Sequence, residues 1–148
     1  GVTGMVDDDG DGEIPLGVAE VKRDGTDVTI IAVSVMVARA LEAAERLAAD
    51  GISAEVVDPR TLVPLDKDTI LKSVAKTGHV VVADESQLSC GIAAELSAII
   101  VEEGFESLKA PIKRVGIPNV PIPFHESEEQ FITPTADKII AAVKSICN

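Results

Sequence analysis

Apolar residues fall along this chain in short blocks separated by stretches of helical period. Residues 17–33, GVAEVKRDGTDVTIIAV, hold two strand-like runs around Asp24-Gly25-Thr26-Asp27, a glycine-containing loop suited to a hairpin. The second run, Val28 to Val33, is nearly all apolar, as a strand covered on both faces should be. From about Val35 to Asp50 the pattern becomes helical, with Val37, Leu41, Ala44 and Leu47 on one face. Gly51 is well placed to end that helix. Ile52 to Val57 is the next strand, and Asp66 caps a helix running from about Lys67 to Lys76. His79 to Ala83 is a third buried strand, Ile92 to Glu103 a helix, and Ile112 to Val115 a short strand. A final helix, capped or preceded by Thr133, ends near Ile146.

Helices between consecutive buried strands imply right-handed crossovers and a parallel sheet. The opening hairpin adds one antiparallel strand. The pattern therefore predicts an α/β fold, a three-layer αβα sandwich on a mostly parallel sheet of about five strands.

Composition narrows the function. A chain of 148 residues is the size of one domain, enough to bury roughly 68–70% of its unfolded surface. A net charge of −12 argues against non-specific nucleic-acid binding and favours a basic partner. Three Phe with no Tyr or Trp leave little material for base-stacking platforms or aromatic cages. Cys90 and Cys147 make a poor disulfide framework, so a cytoplasmic location is expected. No apolar stretch approaches the ~18 residues of a membrane span, and the acidic start does not resemble a signal peptide.

Several motifs invite chemistry and fall short of it. In VDDDGDGEI (6–14), Asp7, Asp9, Asp11 and Gly12 match the opening of a calcium loop. The closing ligand position holds Val18 instead of Glu, so a solvated acidic linker is the better reading. A dinucleotide site needs a glycine-rich turn after the first parallel strand, where this chain has AVSVMVARA. Cys90, ahead of a helix, could be an activated thiol, but nothing brings His79 or His125 to it. Two turns remain, Asp58-Pro59-Arg60 and Asp84-Glu85-Ser86, both at carboxyl ends of parallel strands, where ligands bind in open α/β sheets. They could bind a small anion or tie the domain to another. The second is favoured, because no phosphate-cradling loop accompanies them.

The order IPLG (14–17), VTIIAV (28–33), VVDPRTLVPLD (56–66), KTGHVVVADE (76–85), CGIAAEL (90–96), APIKRV (110–115) and VPIPF (120–124) resembles the C-terminal domain of the transketolase superfamily. More narrowly, Arg60-Thr61-Leu62 and VPIPF resemble the end of the β subunit of the E1 component of 2-oxoacid and acetoin dehydrogenase complexes. Cys90-Gly91 and Leu108 to Pro111 look more like the acetoin branch than the pyruvate one.

The resemblance implies that residues 1–13 are an interdomain linker and 14–148 the domain. It further implies that thiamine diphosphate and its magnesium belong to the full-length complex, held elsewhere, with no cofactor, metal or catalytic residue in this domain. The implied role is non-catalytic: association with the E1 α subunit and a second β subunit, and docking of the E2 acyltransferase. Docking would use Glu106, Lys109 and Asn148. A lysine at 109 would repel a basic partner. Asp58 and Arg60 would form a buried or interdomain ion pair, with Glu85 at the neighbouring strand end. The rival expectation is a stand-alone α/β module binding a small anion at the strand carboxyl ends.

Overall fold

The computed structural model describes residues 14–147. The linker reading of 1–13, the calcium-like aspartates and Asn148 lie outside the described residues. In chain order come β1 (Glu20–Arg23), β2 (Val28–Ala32), α1 (Met36–Ala49), β3 (Ala54–Asp58), α2 (Lys67–Thr77) and β4 (Val80–Gln87). They are followed by α3 (Ile92–Gly104), a 3-10 turn (Phe105–Ser107), β5 (Lys113–Ile117), α4 (Glu126–Ile132) and α5 (Ala136–Lys144). The strands form one five-stranded sheet in the order β1-β3-β2-β4-β5, parallel except for β1.

Alternation along the central strands builds the three layers. Val28, Ile30, Val56, Val81 and Ala83 face α1 and α5, meeting Ala40, Ala44, Leu47, Ile139 and Val143. Ile31, Val57, Val80 and Val82 face the other way, onto Ile70 and Val74 of α2 and Leu96 and Ile100 of α3. Each large aliphatic side chain buried there contributes about 1.5–3 kcal/mol. On α1 the buried face is Met36, Ala40, Ala43, Ala44 and Leu47, rotated from the expected one. Val37 and Leu41 are only half-buried, because the closest approach to the sheet falls on the alanines.

The expected hairpin does not form. β1 is antiparallel as predicted, but its partner is β3, with Glu20 opposite Asp58. The cause is Gly25, whose missing Cβ would stand 2.1 Å from the Glu55 backbone nitrogen. The loop presses onto the start of β3, where Thr26 and Asp27 donate their N–H groups to the Ser53 carbonyl at 3.1 and 2.9 Å. That crossing puts β1 and β2 on opposite sides of β3.

A polar seam lies beneath α2. The Thr29 hydroxyl is 2.8 Å from those of both Ser73 and Thr77. Glu55, 2% exposed, takes hydrogen bonds from Ser73 Oγ, the Gly25 N–H and Lys76 Nζ. Among the described residues no buried side-chain polar atom lacks a partner, as the desolvation cost of such groups requires.

Candidate functional site at the carboxyl edge of the sheet

The chain bends sharply after β2, β3 and β4, with Ser34, Arg60 and Cys90 at φ near +60° in the left-handed region. The Asp58-Pro59-Arg60 turn is built locally: Asp58 Oδ1 accepts the Arg60 N–H at 2.9 Å. Of the buried or interdomain ion pair expected, the buried form is not made between Asp58 and Arg60. The Arg60 guanidinium reaches across to Glu20, on the neighbouring antiparallel strand. Lys22 also bonds Glu20, and the two cations, Lys22 foremost, hold that carboxyl below its ordinary range.

The rest of the motif grips the start of the domain. Thr61 Oγ1 accepts the Gly17 N–H at 2.9 Å and donates to the Pro64 carbonyl at 2.8 Å. Asp66 Oδ2 accepts the Ala19 N–H at 2.9 Å, while Oδ1 caps α2 by accepting the Thr69 N–H at 3.0 Å. Gly17 sits at φ +75°, and a Cβ there would be 2.9 Å from the Pro64 ring. Arg60, Thr61 and Asp66 thus clamp residues 17–20. Spacing alone hid this, because the gripped partners lie more than 40 positions away.

Asp84-Glu85-Ser86 is not a turn. β4 continues to Gln87 past an irregularity, Gln87 standing opposite Ile117. Asp84 is buried and accepts from Ser86 Oγ, while Glu85 points outward. Glu85 does not join Asp58 and Arg60, since β2 separates β3 from β4 and sets them about 10 Å apart. It lines a cleft of about 860 Å³ with Arg39, Glu42 and Arg46 of α1, Glu129 of α4 and Asp137 of α5. Arg46 donates to Asp137 at 2.5 Å and to Glu42 at 3.3 Å, which raises its pKa, with Asp137 the stronger partner. Arg39 donates to the Pro134 carbonyl. No periodic apolar face announces α4, so its seven residues escaped the sequence pattern.

Glu106 and Lys109 lie at the other end of the sheet, where α3 returns toward β5, and both are exposed. The Lys109 stem lies over Gly78, and its ammonium donates to the Thr77 carbonyl at 3.2 Å, at the C-terminus of α2. Lys109 therefore complements the helix dipole there. Cys90 follows the carboxyl end of β4, whereas His79 precedes its amino end and contacts the Asp27 carbonyl. Eight residues of strand, roughly 26 Å, separate them, so Cys90 and His79 form no dyad.

Among the described residues no three His, Cys, Asp or Glu converge on a metal position. The turn after β2 carries Ser34 and Val35 where a pyrophosphate would need close backbone approach. These residues do not fit thiamine diphosphate with its magnesium, and no chemical step is assigned to them. No helix among the described residues is long and apolar enough to cross a membrane.

Residues 17–139 match the family model of the transketolase C-terminal domain. The β subunit of an acetoin:2,6-dichlorophenolindophenol oxidoreductase from Bacillus subtilis (strain 168) is 48% identical over 128 residues, covering 86% of this chain and 37% of that protein. The protein of the same description from Cupriavidus necator is 49% identical over 131 residues, 88% of this chain and 39% of its own. Among solved structures, a split-gene transketolase described as an inactive β4 tetramer superposes with a TM-score of 0.80 at 35% identity. It covers 93% of this chain and 43% of that one. The chain thus spans well under half the length of the curated relatives it matches. Fold, motif order and relatives agree: the chain belongs to the transketolase C-terminal domain family, and it is similar to the corresponding part of β subunits of acetoin:2,6-dichlorophenolindophenol oxidoreductase, pyruvate dehydrogenase and 2-oxoisovalerate dehydrogenase.

Proposed function

We propose that this domain is a non-catalytic assembly unit of an E1 β subunit of the acetoin or pyruvate type. The observation that carries the reading is the clamp: the DPRTLVPLD stretch is spent on holding residues 17–20, not on a ligand. In the parent enzyme, thiamine diphosphate and magnesium would sit in other parts and act on a 2-oxoacid or acetoin. Residues 1–13 would be the linker to those parts. The rival anion site gains no support, since Arg60, Arg39 and Arg46 are each engaged within the chain.

The partners of this reading are an E1 α subunit, a second β subunit and the E2 acyltransferase. The E2 subunit-binding domain would dock through Glu106, Lys109 and Asn148. Lys109 need not repel a basic partner, because its ammonium is turned onto the end of α2. Two measurements test the proposal. An immunoblot of source cells should show a band far heavier than 15.4 kDa; a band at that mass refutes the reading. Calorimetric titration with the E2 subunit-binding domain should show binding that Glu106→Lys weakens. No binding, or none of that sensitivity, removes the docking assignment.

A further inference from the structure

Helix α4 buries almost nothing. Ser127 to Phe131 are exposed and Ile132 is only half-buried. Its seven residues cannot hold a helix on propensity alone, since isolated helices shorter than about 12–15 residues are marginal in water. Its order therefore rests on its ends. At the C-terminal end, Lys138 of α5 donates to the carbonyls of Phe131, Ile132 and Thr133 at 3.3, 3.3 and 3.2 Å. The Thr133 hydroxyl adds a bond to the Glu129 carbonyl at 2.7 Å. At the N-terminal end the cap is His125, whose Nδ1 accepts the Ser127 N–H at 3.4 Å and lies 2.9 Å from the Ser127 hydroxyl.

That cap differs in kind from the others. Asp66 caps α2 and Thr135 caps α5, and neither changes charge near neutral pH. An imidazole accepts at Nδ1 only when that nitrogen carries no proton; in the cation both ring nitrogens are donors. Histidine is also the side chain whose charge ordinarily changes between about pH 5 and 8. Protonation ends the bond from the Ser127 N–H and sets a positive charge against the positive end of the helix dipole. The surrounding charges pull both ways. Glu128 and Glu129 of α4 and Glu85 across the cleft on β4 attract an imidazolium. Lys138 at the far end of α4 and Arg39 of α1 repel it, while Arg46 is offset by Glu42 and Asp137. Among the described residues none of these groups bonds His125, and through water such charges count for little beside a lost cap.

We propose that His125 is a proton-operated latch on α4. Unprotonated, it caps the helix and keeps Glu129, Gln130 and Thr133 in place along the cleft. Protonated, it releases a helix that has no buried face to keep it folded. An N-cap is worth about a factor of five in helix population, so mild acid loosens this wall of the cleft by that factor. The sheet, α2 and α5 keep their order, because none of their caps changes charge in this range.

The test is millisecond hydrogen exchange on the full chain, read as protection relative to the intrinsic exchange rate at each pH. In the wild type, protection of amides 128–133 should fall about fivefold between about pH 8 and 5, while amides 139–144 of α5 stay within about twofold. His125→Asn caps without titrating, so it should keep wild-type protection at the alkaline end and lose the pH dependence. His125→Ala should start about fivefold lower and change no further in acid. A flat wild-type profile, or a pH dependence that survives in His125→Asn, overturns the proposal. So does alkaline protection of α4 that His125→Ala leaves unchanged.

Discussion

Asp66 joins two parts of the domain through one carboxylate, so removing it should loosen both. It caps α2 through the Thr69 N–H and hydroxyl and holds the Ala19 N–H ahead of β1. Loss of an N-cap costs about 1 kcal/mol. A hydrogen bond to a charged acceptor contributes about 1.5–3 kcal/mol, and Asp66 is half-buried, so the lower end applies to the Ala19 bond. Asp66→Ala should therefore destabilise by about 2–3 kcal/mol. Asp66→Asn keeps the cap oxygen and should cost about 1 kcal/mol.

The pH dependence separates charge from geometry. The bonds from Thr69 and Ala19 outweigh the desolvation of Asp66, the largest opposing effect, and leave its folded pKa below the ordinary carboxylate value. A depressed folded pKa means the charge contributes stability above the unfolded pKa of about 3.9 and loses it as pH falls through the folded value. The advantage of wild type over Asp66→Asn should be flat from pH 7 to about 5 and shrink below about 4. Urea unfolding across that range, with hydrogen exchange at residues 17–20, is the assay. If Asp66→Ala costs under about 0.5 kcal/mol, or the wild-type advantage grows in acid, the assignment of Asp66 is wrong.

Three further outcomes follow from the packing. Glu55→Ala should cost about 3 kcal/mol in chemical denaturation, because Ser73 and Gly25 each lose a bond to a buried carboxylate. Gly25→Ala should destabilise by at least about 3 kcal/mol, since its Cβ would strike the backbone of Ala54 and Glu55; a wild-type urea midpoint would refute the crossing described for this loop. Burial pushes the Cys147 thiol pKa up while Cys90 is exposed, so mass spectrometry after brief iodoacetamide treatment at pH 7.5, a pH near neutral chosen as roughly physiological, should find Cys90 modified first. Modification of Cys147 before Cys90 would contradict the packing of α5.

What was legible in the sequence was whatever depends on local order. The buried runs at Val28, Ala54 and Val80 announced the parallel strands, and Asp66 announced its helix because a cap acts within three residues. The pairing of β1 was not legible, because loop 24–27 suits a hairpin and only its contact with Ala54 and Glu55 redirects it. α4 lacks a buried stripe, so periodicity had nothing to detect. Arg60 was recognised as a strand-end charge, but its partner Glu20 lies 40 residues earlier and depends on that same redirected strand.

The pairing of β1 and the partner of Arg60 share a cause that also bears on function. In open α/β sheets the carboxyl edge is where backbone and charge are free to meet a ligand. Here the β3 side of that edge is consumed by antiparallel β1, whose arrival brings Glu20 to Arg60, Gly17 to Thr61 and Ala19 to Asp66. A charged motif that would suit an anion site becomes a clamp once a strand is laid beside it. On the β4–β5 side a cleft stays open, and of its acidic lining Glu42 and Asp137 are held by Arg46 while Glu85 points outward from β4. That cleft does not suit a phosphate, because an anion would meet Glu85 and Glu129 while the two arginines among its described lining, Arg39 and Arg46, are already engaged by Pro134 and Asp137.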